Sequence, residues 1–348
     1  MIRIDGSYGE GGGQILRTAL SLSVCLKTPF EIFNIRKGRR QPGLLQQHLT
    51  SVKAVAKICN AELSGASFSS TSLVFKPGDI RAGDYEFDVA EARGSAGAVT
   101  LVAQAIIPIL ISSKSKITLK GGTHVSYSPP FDYLSEVLIP FLNRQGISVN
   151  AKLIQYGFFP VGKGKVVIDF NMSSNRKSLS SVLDRGQLKK LSLVSRVANL
   201  PVNIAEWQRN HFIKLLQNDF PQTNIEEKIE EIRASCPGTY LFLKAEFENI
   251  TTGFCALGEK GKPAETVAAE VYQDYKSYLL ARHSVFDYHL ADQVCIFLAL
   301  SRFRTGNQTE PFTIKTDKLT KHLQTNIWLI RQFIPGFQPI VHKSPEKE

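Results

Sequence analysis

The sequence predicts an α/β fold in which three similar units form a large domain, with a smaller α/β domain inserted before the last of them. Three observations lead there. First, GGQILRTALSLSVCLKTPFEIFNI, SAGAVTLVAQAIIPILISSKSKITLKG and LADQVCIFLALSRFRTGNQTEPFTIKT each run from a helix rich in small apolar residues, through a polar turn, into a short strand. Second, those strands begin at Phe30, Lys116 and Phe312, so the second interval is more than twice the first. Third, the region from about Ser178 to Phe254 differs in character, as an insertion would.

Taken in order, each strand is followed by a second helix. After FEIFNI it is LLQQHLTSVKAVAKIC, whose Leu45, Leu49, Val52, Ala56 and Cys59 recur at spacings of three and four and so line one face. After KITLKG it is FDYLSEVLIPFLNRQG, and after FTIKTD it is KHLQTNIWLIRQFIPG; both close on glycine. The insertion falls between the strand Lys165–Phe170 and the helix ETVAAEVYQDYKSYLLARH, and holds a charged helix, NIEEKIEEIRAS, and a strand, TYLFLKAEF. The expected division is a large domain from residues 1–180 and 276–340, an inserted domain at 181–275 and a tail at 341–348.

With 348 residues, 43% of them apolar, the chain can bury a large core. A net charge of +11 favours polyanionic partners: nucleic acid, nucleotides or an anionic membrane. The membrane reading weakens, because no apolar run approaches the roughly 20 residues a spanning helix needs; the longest, Val99 to Ile111, contains Gln104 and Pro108. The opening MIRIDGS is no signal peptide. Five scattered cysteines without a C-x-x-C pair suggest neither a disulfide framework nor a zinc site, and read as reduced thiols of a cytoplasmic protein.

The stretch GEGGGQILR, Gly9 to Arg17, feeds a glycine-rich turn into a helix, which makes an anion site from bare N–H groups and the helix dipole. Glu10 would repel that anion unless a divalent cation sat between them, with Gln14 and Arg17 on successive turns facing the same ligand. The alternative is a tight turn whose Glu10 merely favours the helix N-terminus. In IRKGRRQPG, Arg36, Lys37, Arg39 and Arg40 either form solvated surface or grip phosphates, for which the guanidinium fork is suited. GFFPVGKG, Gly157 to Gly164, is close to a phosphate-binding loop but lacks the closing hydroxyl and precedes a strand, so it reads as a turn between strands.

The histidines are His48, His124, His211, His283, His289, His322 and His342, with no H-x-x-H pair. His48 lies near an apolar helix face and reads as packing. His322 stands near a helix start, where the dipole would keep its imidazole neutral and free to attack phosphorus.

The landmarks Asp5–Arg17, RKGRRQPGLLQQHL (Arg36–Leu49), Gly94–Gln104, LADQ (Leu290–Gln293) and HLQTN (His322–Asn326) together resemble the RNA 3′-terminal phosphate cyclases, from close to the first residue to about Pro335. The resemblance implies an α/β (α+β) fold of three βαβαββ-like units, akin to the C-terminal domain of a translation initiation factor and to the enolpyruvyl transferases, with a smaller inserted α/β domain. It implies ATP as substrate, RNA with a 3′-terminal phosphate as partner, and a Mg²⁺ or Mn²⁺ ion held by Glu10. No membrane and no obligate protein partner are implied. His322 would attack the α-phosphate and carry AMP; Arg17, Arg36 and Arg39 would stabilise the phosphates. Gln104 and the run His289, Leu290, Ala291, Asp292 and Gln293 would hold adenosine, with Pro129 and Pro130 as a wall of the base pocket and Gln47 among the phosphate contacts.

Two positions depart from the family pattern: His289 replaces the usual tyrosine before LADQ, and Lys163 interrupts a run of three glycines. The rival reading is a non-catalytic cyclase-like protein of ribosome assembly, which would bind RNA without reacting; such relatives lack the histidine found here as His322. Enolpyruvyl transfer would leave that histidine and LADQ unused.

Overall fold

The computed structural model describes residues 1–89, 96–172, 179–306 and 312–343. Ser178, the start of the Gly94–Gln104 landmark and the end of the 341–348 tail lie outside the described residues.

The chain opens with β1 (Ile2–Asp5), α1 (Gly13–Leu26), β2 (Phe30–Phe33), α2 (Gln46–Cys59), β3 (Glu62–Ser64) and β4 (Leu73–Lys76), whose strands pair in the order β1-β2-β4-β3. β1 and β2 are parallel, so a crossover must join them, and α1 supplies it. Lys27 ends α1 in the left-handed region (φ 53°), returning its N–H to the carbonyls of Ser23 and Val24. On α2, Leu49, Val52, Ala56 and Cys59 are buried as their spacing requires.

The same succession follows in β5 (Asp84–Asp88), α3 (Val99–Leu110), β6 (Ser115–Gly121), α4 (Phe131–Tyr133), a π-helical turn (Leu134–Leu138), α5 (Ile139–Arg144), β7 (Val149–Gln155) and β8 (Gly164–Phe170). Its strand order, β5-β6-β8-β7, repeats that of the first sheet. Pro140 at the start of α5 has no N–H to donate, and the wide turn stands just ahead of it. GFFPVGKG joins the antiparallel β7 and β8, the turn its sequence suggested.

A third sheet comes from β9 (Leu188–Ala198), α6 (Asn203–Asp219), β10 (Glu226–Ile232), β11 (Gly238–Phe247), β12 (Thr251–Leu257) and α7 (Ala264–Leu280), ordered β10-β9-β11-β12, with α6 and α7 packed against it. NIEEKIEEIRAS is corrected here. Ile225, Ile229 and Ile232 repeat at helical spacing, yet Glu226–Ile232 lie as an edge strand parallel to Ser192–Ala198. Ion pairs explain why: Glu226 meets Lys190 at 2.7 Å, Glu227 meets Arg209 at 3.2 Å, and Glu230 meets Arg196. Cross-strand pairing thus outweighs local periodicity, and charge suits an exposed edge.

The chain then runs through α8 (Tyr288–Arg304), β13 (Thr313–Thr316), α9 (Lys321–Phe333) and β14 (Ile340–Lys343), with β13 and β14 parallel and Phe286 forming a single parallel bridge to Thr316. α1 packs on α2, α3, α8 and α9. Small residues permit this closeness, as where Ser21 Oγ donates to Ala105 O at 2.8 Å. A buried ionic network joins β9 and β11 to α4 and the segment before it. Asp132 lies 2.6 Å from His124 Nε2, 2.5 Å from Arg196 Nη1 and 3.1 Å from the Tyr240 hydroxyl. Burial alone would raise the Asp132 carboxyl, but the bond to His124 and the charges of His124 and Arg196 hold it down at about 2. Among the described residues, no helix is long and apolar enough to cross a membrane, and all five cysteines are free.

Candidate active site

The glycine-rich turn is shaped by what presses against it. Asp5 Oδ1 accepts from Ser7 N (3.0 Å) and Ser7 Oγ (2.7 Å), fixing the entry. Gly9 and Gly11 have φ of +59° and +60°, which favours residues without a side chain. A Cβ on Gly9 would sit 2.3 Å from Thr325 Oγ1, one on Gly12 2.3 Å from the Glu10 carboxylate, and one on Gly13 2.4 Å from His48 Nε2. The glycines therefore let α9, Glu10 and α2 close on one point.

At that point Glu10 N donates to Thr325 Oγ1 at 3.0 Å. Arg39 Nη2 donates both to the Glu10 carboxylate and, at 2.9 Å, to the Glu10 carbonyl. Glu10 Oε2 and Arg17 Nε are buried without a partner among the described residues. Burial pushes the Arg17 guanidinium down to about 10, against the pull of Glu10. Arg36 donates through Nη1 to the carbonyls of Gln41 (2.6 Å) and Gly43 (3.0 Å), so part of its fork braces its own loop. His48 is buried, as its helix face suggested, but also borders the site. Its Nδ1 accepts from Leu45 N at 3.2 Å, leaving Nε2 to carry the proton beside Gly13. Burial and the charges of Arg17 and Arg36 push it down to about 3, so it stays neutral.

His322 occupies the first turn of α9, which Thr320 caps by accepting from Leu323 N at 2.9 Å. Its ring is exposed. Nδ1 lies 2.7 Å from Gln14 Oε1. An amide oxygen can only accept, so Nδ1 holds the proton and the Nε2 lone pair is free. Partial desolvation lowers the imidazole below its usual 6.5; Glu10 opposes this and Arg17 and Arg39 reinforce it. The ring is neutral at neutral pH.

Beside His322, a chain of bonds crosses three helices: Thr18 Oγ1 donates to Asn326 Oδ1 (2.9 Å), Asn326 Nδ2 to Asp292 O (3.0 Å), and Thr320 Oγ1 to Asp292 Oδ1 (2.6 Å). Burial pushes Asp292 up to about 7. On α8, His289 is exposed and lies 4.0 Å from the Tyr288 ring and 5.9 Å from the Tyr133 ring. Leu290 and Ala291 turn their side chains into the core, so only their main chain can meet a ligand. Gln293 Nε2 donates to His289 O at 3.3 Å. Gln104 is half-buried on α3, one turn from Thr100, whose Oγ1 donates to Pro129 O at 2.7 Å. Pro130 precedes α4, where Tyr133 donates to Asp287 at 2.7 Å. Gln47 Oε1 accepts from Ala98 N at 3.0 Å, so its oxygen is engaged with the start of α3. Glu10, Arg17, Arg39 and His322 thus converge, while Gln104, Pro129, Pro130 and His289 sit on linked neighbouring elements.

The profile of one family, described as RNA 3′-terminal phosphate cyclase, matches residues 8–336. The chain belongs to the RNA 3′-terminal phosphate cyclase family. It is 43% identical to the RNA 3′-terminal phosphate cyclase of Methylococcus capsulatus, over 96% of this chain and 91% of that one. It is 40% identical to the protein of that name from Gloeothece citriformis, over 96% and 93%, and 39% identical to that from Sulfurisphaera tokodaii over the full length of both. In this cyclase-family chain, sequence reasoning left Thr325 without a role and gave Gln14 a different one. Thr325 holds the Glu10 backbone although it stands inside the HLQTN landmark, and Gln14, thought only to face a ligand, sets the tautomer of His322.

Proposed function

We propose that this chain, a cyclase by family, converts an RNA 3′-terminal phosphate to a 2′,3′-cyclic phosphate at the expense of ATP, with AMP carried on His322. The observation that carries this reading is the Gln14–His322 contact, because it leaves a neutral Nε2 lone pair beside Arg17 and Arg39. Nε2 forms a bond to the α-phosphorus as the bond to pyrophosphate breaks. An oxygen of the RNA 3′-phosphate then displaces His322 from the AMP phosphorus. Finally the 2′-hydroxyl oxygen attacks the 3′-phosphorus, its proton is lost, and AMP departs. Adenylylation is needed because an unactivated phosphate monoester offers no good leaving group. Arg17 and Arg39 stabilise charge that accumulates on phosphoryl oxygens. Arg36 keeps further nitrogens for the same task, and Gln47 would join the phosphate contacts.

A Mg²⁺ or Mn²⁺ ion fits this site, since Glu10 Oε2 is a buried carboxylate oxygen without a partner. Among the described residues no cluster of three acidic, histidine or cysteine side chains could hold a metal, so such an ion would take its other ligands from phosphates and water. When bound it would neutralise phosphate charge. For adenosine, Gln104, Pro129, Pro130, His289, Gln293 and the main chain of Leu290 and Ala291 form the expected lining, with Asp292 fastened to Thr320 behind them.

The architecture is read as three βαβαββ-like units around an inserted domain, divided at 1–180, 181–275, 276–340 and 341–348. Support comes from the shared order of the first two sheets and from the α8-β13-α9 succession with its parallel Phe286–Thr316 bridge. The cytoplasm is the compartment that suits five free thiols. The test incubates protein with α-labelled ATP and a divalent metal. Acid-labile label is expected on the denatured protein and absent from His322→Ala; label in that variant overturns the assignment.

A further inference from the structure

We propose that the RNA strand reaches His322 along the outer face of α9, with a base near its 3′ end stacked on the exposed Tyr8 ring. This rests on the cyclase reading for its polyanion, and on four features of the surface. The Tyr8 and Trp328 rings stack at 3.9 Å between centroids and 15° between planes. Tyr8 nevertheless keeps 46% of its surface exposed, so one ring face is backed by tryptophan and the other is open. Its backbone is preset: Tyr8 N donates to Asp5 O at 3.2 Å and Gly11 N to Tyr8 O at 2.9 Å. Along α9, Lys321, Gln324, Trp328 and Arg331 recur at spacings of three and four, and Lys321, Gln324 and Arg331 are exposed. An aromatic step flanked by cations is the arrangement that holds single strands, bases on the rings and phosphates on the charges.

The position suits the reaction. Trp328 stands one turn beyond Thr325, which holds Glu10, and six residues beyond His322, a rise of about 9 Å along the helix and about 120° around it, so the strand would bend over the start of α9 to bring its 3′ end to the imidazole. Lys37 lies beside the same turn, its charge adding to the Ser7 bonds that hold Asp5 below the usual carboxylate range. The adenosine lining of α3 and α8 is separate from this face, so ATP and RNA would approach His322 by different routes. Base stacking is tolerant of sequence, and the surface would therefore select an unpaired 3′ end rather than a particular base.

The test measures binding of a 3′-phosphorylated oligoribonucleotide by fluorescence anisotropy, alongside AMP labelling. Tyr8→Ala is expected to weaken binding about tenfold and to leave AMP labelling from ATP alone unchanged. Trp328→Phe, which keeps a ring under Tyr8, is expected to retain most of the affinity. Removing the terminal bases from the oligonucleotide should cost the normal protein what Tyr8→Ala costs, and cost the variant little more. Unchanged affinity in Tyr8→Ala overturns the proposal whether or not cyclisation occurs. Loss of affinity without any cyclised product supports the surface and overturns the activity instead.

Discussion

His322 Nδ1 lies 2.7 Å from Gln14 Oε1, although 308 positions separate the two residues in the chain. The amide oxygen orients the imidazole and assigns its proton, which is how a histidine is made to present one nitrogen rather than the other. Gln14→Ala is expected to slow AMP transfer to protein by about tenfold to a hundredfold without unfolding. Labelling time courses with α-labelled ATP check it; an unchanged rate would show that the ring needs no such partner.

If His322 is the nucleophile proposed above, its protonation removes the attacking lone pair. Its imidazole sits below 6.5, so the labelling rate should stay level from pH 8 to pH 7 and fall only as pH drops below that value. Gln14→Glu places a carboxylate against Nδ1, favours the imidazolium and should move the fall to higher pH. Rate profiles of the two proteins compare directly.

Arg39 is partly exposed and bonds to Glu10, so Arg39→Ala should leave the melting temperature almost unchanged while slowing AMP transfer on the order of 100-fold. Arg17 stands near the start of α1 with its Nε buried, and Arg17→Ala should cost both. Calorimetry with labelling separates the two behaviours. An Arg39→Ala protein of normal rate would make its loop ordinary surface.

Arg196 neutralises Asp132 in a nearly dry setting. Arg196→Met leaves that carboxylate to His124 and Tyr240 alone, which costs up to about 3 kcal/mol and should lower the melting temperature by several degrees. Since Asp132 sits at about 2 in the folded protein, against an ordinary 3.8, its contribution is full above pH 4 and is lost as pH falls toward 2. Thermal scans of the variant should show a weaker acid dependence in that window.

Asp317 has the opposite sign. Burial and the neighbouring Asp287 push it up to about 7, and its Oδ2 has no partner among the described residues. A folded carboxyl raised above its unfolded value of 3.8 stabilises least at high pH, the penalty growing from pH 4 to pH 7. Asp317→Asn should therefore raise the melting temperature by a few degrees at pH 8 and by less at pH 4.5. An equal change at both would assign the effect to packing.

Much of this was legible in the amino-acid order. Apolar spacing marked α2, a closing glycine marked α9, small residues marked the helices that pack closely around α1, and GEGGGQILR marked a glycine-rich turn feeding a helix. The failure at Glu226–Ile232 has a physical cause, because the isoleucine spacing is local whereas Lys190, Arg196 and Arg209 come from other segments. Gln14, Thr325 and the Tyr8–Trp328 pair were obscure for the same reason: each acts through a residue distant in the chain. That Leu290 and Ala291 face the core could not be read from LADQ, whose four letters do not say which side of α8 is wet.

The bond from Glu10 N to Thr325 Oγ1 spans 315 positions. A chain emerging from the ribosome therefore carries its acidic turn long before the segment that must clasp it has been made. Contacts this remote in sequence form late and slowly. Copies that stop short of α9 would lack Thr325 and His322 together, so the glycine-rich turn would be made without the residue that holds it.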